Sequence, residues 1–215
     1  MKTNPFYDTW LFLLGRTGDH GNAGVFFSWV LTLGFLALIA ASIWIARENW
    51  REDPAQRTPE HLATWGMRFF IGAMWFQGSL WKLPLPVSGG FGYWLGLMGD
   101  NAAFGFYGSL IKSVLVANIA FVNPMIFLVE VTLAASLMLG IAVRLTALLG
   151  VAMALNLWIG LYHFQPEWPW IYIFIVMLHV FLIADRAGRA LGLDAMLLRV
   201  KRHWFQSHPW LMLAG

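Results

Sequence analysis

Long apolar runs alternate with short polar ones along this chain. A hydrocarbon core about 30 Å thick takes roughly 20 apolar residues in a helix. Segments 25–46, 62–81, 124–142, 145–163 and 168–184 are apolar over about that length, and each ends at charges, proline or tryptophan. The pattern predicts an all-α integral membrane protein with five spans. Segment 109–122 is also apolar but carries Lys112 and Asn118. At about 14 residues it is too short to cross, and it is expected as an interfacial or re-entrant helix. Residues 10–14 are shorter still and are expected within an interfacial helix of an N-terminal segment 1–24. That segment lacks the basic start and long apolar run of a signal peptide.

Composition supports this reading. Of 215 residues, 59% are hydrophobic and 12% charged, against about 25% charged in soluble domains. The absence of cysteine excludes disulfides, iron–sulfur ligation and thiol nucleophiles in this chain. The net charge of +3 is small and no long basic run occurs, so no nucleic-acid partner is expected.

Lys and Arg placement sets the expected orientation. With five spans, Arg47, Arg51, Arg57, Arg144, Arg186, Arg189, Arg199, Lys201 and Arg202 share one side, and Lys2, Arg16, Lys82 and Lys112 share the other. The first side is expected in the cytoplasm, with the N-terminus outside and the basic tail 195–215 inside. Residues 47–61 read as a polar cytoplasmic linker joining an accessory helix, 25–46, to a four-helix domain, 62–194. Within that domain, 83–123 is a long Gly-rich outer loop, and loops of that length usually have a function. Gly34, Ala37 and Ala41, and again Gly150 and Ala154, offer small faces for close helix contact.

Ionisable residues within spans need a partner or a purpose. Arg68 lies about 9 Å inside the cytoplasmic end of its span, on the side of Arg144 and Asp185. These three form a candidate structural ion cluster. Glu130 lies about 9 Å inside the outer end of its span, the end that Lys82 closes. A paired carboxylate there suits a quinone head-group site or a proton relay, or else a salt bridge that pins helices. The lysine stem could also snorkel to the surface. His163 and His179 sit about 16 Å apart in depth, so a haem shared between them is not expected, nor is any metal site. His203 and His208 are a weak metal signal. Phosphate-loop, zinc-protease, nucleophile-elbow and dinucleotide motifs are absent.

Segment 68–83 reads RFFIGAMWFQGSLWKL, Glu130 is followed by Gly140 and Arg144, and 188–194 reads GRALGLD. In order and spacing these stretches resemble the DoxX/DoxD family, over about 62–194. Ala134 stands where relatives often have Gly, and Gly192 where they have Ser. The resemblance implies a four-helix membrane core with one extra N-terminal span here. It also implies the membrane subunit of a thiosulfate:quinone oxidoreductase, or of a terminal quinol oxidase. Quinone, a DoxA-like or other periplasmic or membrane partner chain, and a bacterial or archaeal cytoplasmic membrane come with it.

Three functions are then in play. One is an electron-transfer subunit in which Lys82 stabilises a reduced quinone oxygen and Glu130 moves the proton. Trp75, Trp81 and Trp94, with His163 near the outer boundary, would line its ring site. The second is a non-catalytic accessory subunit of a larger respiratory or photosynthetic complex, packing against it and organising lipid or quinone. The third is a small transporter, for which the inverted repeats and broken helices expected of that class are lacking.

Overall fold

The computed structural model describes residues 4–13, 24–168 and 170–200. Lys2, Arg16, Lys201, Arg202, His203 and His208 lie outside them. The described residues are helical, with no strand. The helices are α1 (Pro5–Leu13), α2 (Val25–Glu52), α3 (Pro59–Leu80), α4 (Gly89–Asn101), α5 (Gly105–Leu110), α6 (Ile119–Leu139), α7 (Val143–Gly160), α8 (Trp170–Ala184) and α9 (Leu193–Val200). Three of them, α2, α6 and α7, are long and apolar enough to cross a membrane. Helix α3 has 22 residues, about 33 Å at 1.5 Å per residue, but carries Glu60, His61 and Arg68 in its first half. Helix α8 is strongly apolar and has 15 residues.

The core forms where α3 packs along α6 and α7 along α8. Ala73, Leu80, Leu133, Leu137, Met138 and Leu182 are sealed there. A Cβ on Gly72 would come within 2.9 Å of the Met138 backbone nitrogen. This glycine therefore lets α3 and α6 approach closely, as small residues do between membrane helices.

Three connections differ from expectation. The N-terminal helix α1 does not lie beyond the bundle ends. Its Phe6 ring sits 5.2 Å from Phe69 and 5.9 Å from Phe35, residues near the middle of α3 and well inside α2. The 47–61 linker is folded. Helix α2 continues to Glu52, a short turn follows, and Arg57 Nε donates to the Trp50 carbonyl at 2.7 Å. Thr58 then caps α3 by accepting from the His61 N–H. Helix α2 is also fastened to the core, because buried Asn49 donates to the Gly192 carbonyl at 2.9 Å.

The Gly-rich stretch 83–123 is mostly helical rather than a loop. Ser88 caps α4 by accepting from the Phe91 N–H at 3.3 Å. Phe91, Trp94, Leu95 and Met98 then fall at i, i+3, i+4 and i+7, one helical stripe, and that stripe packs with Ile111 and Leu161. The expected helix at 109–122 is broken into the end of α5, a π-helical turn Ile111–Val116 and the start of α6. Helix α6 begins before Pro124, at Ile119. Asn123 holds this entry by donating to the carbonyls of Lys82 (2.9 Å) and Pro86 (3.0 Å).

Candidate functional site

Helices α3, α4, α6, α7 and α8 enclose a cavity of about 670 Å³ at the end of the bundle that carries Lys82. Pockets for small organic ligands span about 300–1,000 Å³ and are mostly apolar with a few placed polar groups. Here the walls come from Trp75 and Trp81 on the α3 side, Phe91, Trp94, Leu95 and Met98 of α4, and Met153 and Leu157 of α7. Trp81 meets Trp94 edge-on, with centroids 6.3 Å apart. Trp94 meets Phe164 in the same way at 6.1 Å.

Lys82 follows the last turn of α3, and its backbone is tied on both sides. Its N–H donates to Ser79 and its carbonyl accepts from Asn123. Its ammonium donates to the Gly78 carbonyl at 3.0 Å and to Glu130 Oε1 at 2.7 Å, and stands 5.6 Å from the Phe91 ring centroid. Glu130, in the middle of α6, is 4% exposed. Desolvating two charges is expensive, and the short contact offsets part of that cost. The lysine is drawn inward to the carboxylate rather than snorkelling out.

Further polar groups line the same cavity. Gln77, Asn156, Glu167 and Tyr172 all reach it. The Tyr107 hydroxyl donates to Asn156 Oδ1, and the Tyr172 hydroxyl donates to Glu167 Oε2. Behind the wall, Trp75 donates to His179.

Of the residues singled out from sequence, Lys82, Glu130, Trp75, Trp81 and Trp94 meet at this cavity. His163 does not line it. It is exposed in the turn after α7, with its ring edge-on to Tyr162 at 5.0 Å, and its N–H donates to the Asn101 carbonyl. Proximity in depth did not bring it to the wall: Leu161, two residues earlier, is buried and reaches the cavity, while His163 is exposed. Among the described residues no group of three or more His, Asp or Glu is placed to hold a metal ion.

The Arg68, Arg144 and Asp185 cluster does not form as an ion cluster. Arg68 is fully buried and donates to the carbonyls of Leu137, Met138 (3.2 Å) and Ala190 (3.4 Å). Asp185 is exposed and accepts from Thr64 at 3.1 Å. Arg144 is in no ion pair among the described residues, although it lies close enough to act on Arg189. The acid that acts on Arg68 is Asp194. After α8 the chain doubles back, and Asp194 accepts from the N–H groups of Ala142 (2.8 Å) and Val143 (3.3 Å) at the start of α7. Burial pushes the Asp194 carboxyl up from its ordinary range, while those N–H groups and Arg68 pull it down.

The residues that sequence reasoning missed at the cavity are Gln77, Glu167, Tyr172 and, apart from Trp94, the α4 stripe. The stripe was readable as Phe91, Trp94, Leu95 and Met98 behind a Ser88 cap. The interleaved glycines, poor helix formers, hid it. No family model matches this chain, and neither a curated protein nor a solved structure matches it.

Proposed function

We propose that this chain is the membrane subunit of a quinone-linked redox complex, of the thiosulfate:quinone oxidoreductase type suggested by its resemblance to the DoxX/DoxD family. In this reading α2, α3, α6, α7 and α8 are five spans in a bacterial or archaeal cytoplasmic membrane. The Lys82 end faces outward and the Arg68 end faces the cytoplasm. The observation that carries the reading is the aromatic cavity between the spans, closed at one corner by the Lys82–Glu130 pair. Further support comes from the convergence of Arg68, Gly140, Gly188 and Asp194, residues of the resemblance, at one junction with Gly192.

The cavity's residues suit a quinone head. Its volume and indole-rich walls fit a ring, and buried Glu130, 2.7 Å from the Lys82 ammonium, sets a paired carboxylate at its edge. Lys82 and Glu130 would hold the polar edge of the ring, and the Trp81 and Trp94 faces would hold its plane. A quinone supplies a two-electron, two-proton couple. The chain supplies the dry walls, the fixed charges and the carboxylate next to the ring oxygens. Without cysteine it cannot bond sulfur covalently, so a thiosulfate step belongs to a partner chain, DoxA-like or otherwise periplasmic or membrane-borne.

Gentle extraction from the native membrane, followed by mass spectrometry for partner chains and bound quinone, tests this. A small partner with stoichiometric quinone is expected. A large assembly with no quinone on this subunit would instead support the accessory role. Loss of quinone reduction in Lys82→Ala and Glu130→Gln, with the fold kept, is the matching functional result.

A further inference from the structure

We infer that the ligand of this cavity is also held from the α7 wall, by the side-chain amide of Asn156, whose N–H donates to an oxygen on the ring. This rests on the quinone-site reading above and adds a specificity-determining residue to it.

Elimination leads to this donor. An ammonium has three N–H groups, and Lys82 faces three oxygens of its own protein. They are the Gly78 carbonyl at 3.0 Å and both Glu130 oxygens at 2.7 Å. That pair is closed on itself and acts on a ring through its charges. Gln77 lines the cavity with no hydrogen-bond partner among the described residues, so its amide is free to turn either end inward and selects nothing.

Asn156 is held. Met153, Asn156 and Leu157 line the cavity at i, i+3 and i+4 of α7, one helical face. Asn49, Asn101, Asn118 and Asn123 each give a side-chain N–H to a carbonyl of the chain, those of Ile45, Leu97, Val114 and Lys82 among them. Asn156 gives its own to no group among the described residues, and the Tyr107 hydroxyl donates to its Oδ1 instead. That hydroxyl has no other acceptor among them, so turning the amide over would leave the O–H unmet. Tyr107 does not line the cavity, and Asn156 Nδ2 is not sealed within the wall. The oxygen end of the amide is therefore tied to α5, and the N–H end opens on the cavity.

An N–H without an acceptor is costly in a dry wall, and more so between membrane spans. An oxygen on the ring meets that need where a hydrocarbon ring does not. A quinone carbonyl and the hydroxyl oxygen of its reduced form both accept such a bond, so the contact selects ring oxygen and not redox state.

The test uses the full chain in lipid nanodiscs with duroquinone as the probe. It reads affinity, and the infrared carbonyl stretch of the bound ring against the same ring in protein-free nanodiscs. Wild type is expected to bind duroquinone with the stretch moved to lower frequency. Asn156→Leu should weaken binding about two- to tenfold, the range of one neutral hydrogen bond, and should return part of that shift. Tyr107→Phe keeps the amide but frees it to turn, and should move both readouts in the same direction. It carries the test if Asn156→Leu does not fold. Either folded variant with wild-type affinity and stretch overturns the inference and leaves the cavity reading intact. Weaker binding with the stretch unmoved assigns Asn156 to wall packing alone and overturns it too. Failure of duroquinone to bind the wild type overturns the quinone-site reading as well.

Discussion

Trp75 donates its indole N–H to Nε2 of His179 at 3.0 Å, and His179 is sealed from the surroundings. The other ring nitrogen, Nδ1, lies 2.7 Å from the Ile175 carbonyl. The imidazole is therefore the Nδ1–H tautomer with both nitrogens satisfied. A Cβ on Gly150 would fall 2.1 Å from His179 Cδ2, so α7 gives up a side chain to admit the ring. Gly150→Ala should lower the thermal midpoint in detergent. His179→Ala leaves the indole N–H unmet and should cost about 1–3 kcal/mol. The double variant should lose less than the sum, because the two changes share one volume. Additive losses would mean that Gly150 is not there for the ring.

The Lys82–Glu130 pair makes a stability prediction that holds whatever the ligand. Removing one member of a buried pair leaves an uncompensated charge, at about 3–5 kcal/mol. Lys82→Met and Glu130→Leu should each destabilise the protein in unfolding titrations. Together they should recover most of that loss, since well-packed apolar replacements of buried pairs are often neutral. A double variant as unstable as the two losses added would show that the groups act independently despite their 2.7 Å contact.

The long apolar helices α2, α6 and α7 were legible because hydrocarbon imposes a length on the sequence. Glu130 and Lys82 were legible because charge is rare inside such segments, and both were placed near the same end. What stayed hidden depends on chain reversal. Arg68 and Asp185 share a depth, yet the acid acting on Arg68 is Asp194, carried back by the turn after α8. His163 is exposed in the turn after α7, while Leu161 in the same turn lines the cavity. Helix α4 was masked because its glycines weaken helix propensity, while tertiary contact along Phe91, Leu95 and Met98 overrides it.

At the Arg68 end, Gly140 adopts a left-handed φ of 73°, which glycine tolerates best. A Cβ on Gly192 would lie 2.2 Å from the Gly188 carbonyl oxygen. Gly192→Ser, which installs the residue of the resembling family, should therefore give a poorly folded protein by size-exclusion chromatography. A monodisperse product of normal yield would show that the 188–194 turn can relax.

Asp194 makes a pH prediction at that junction. Its carboxyl is raised above the ordinary value of 3.8 in the folded chain, so the folded state holds its proton more tightly than the unfolded state. The stability due to this group is fully present below that ordinary value and is lost as pH rises through the elevated one. The stability of the wild type relative to Asp194→Asn should therefore fall as pH climbs out of the acid range. Thermal unfolding of both proteins across that range checks it, and a rising difference would contradict the sign.

The chain contains no cysteine, so single cysteines can be labelled without background. Glu60 and Gln165 are exposed, and so is Asp100, whose partner is Lys112 at 2.6 Å. If α3 and α8 cross with the three longer helices, three spans separate Glu60 from Gln165, and Asp100 shares the side of Gln165. A membrane-impermeant maleimide applied to whole cells should then label Asp100→Cys and Gln165→Cys but spare Glu60→Cys. If only α2, α6 and α7 cross, an even number of spans separates every pair, and all three positions report from one side. The Lys82 cavity would then not lie between spans, and a membrane-borne ring would lose its route to it.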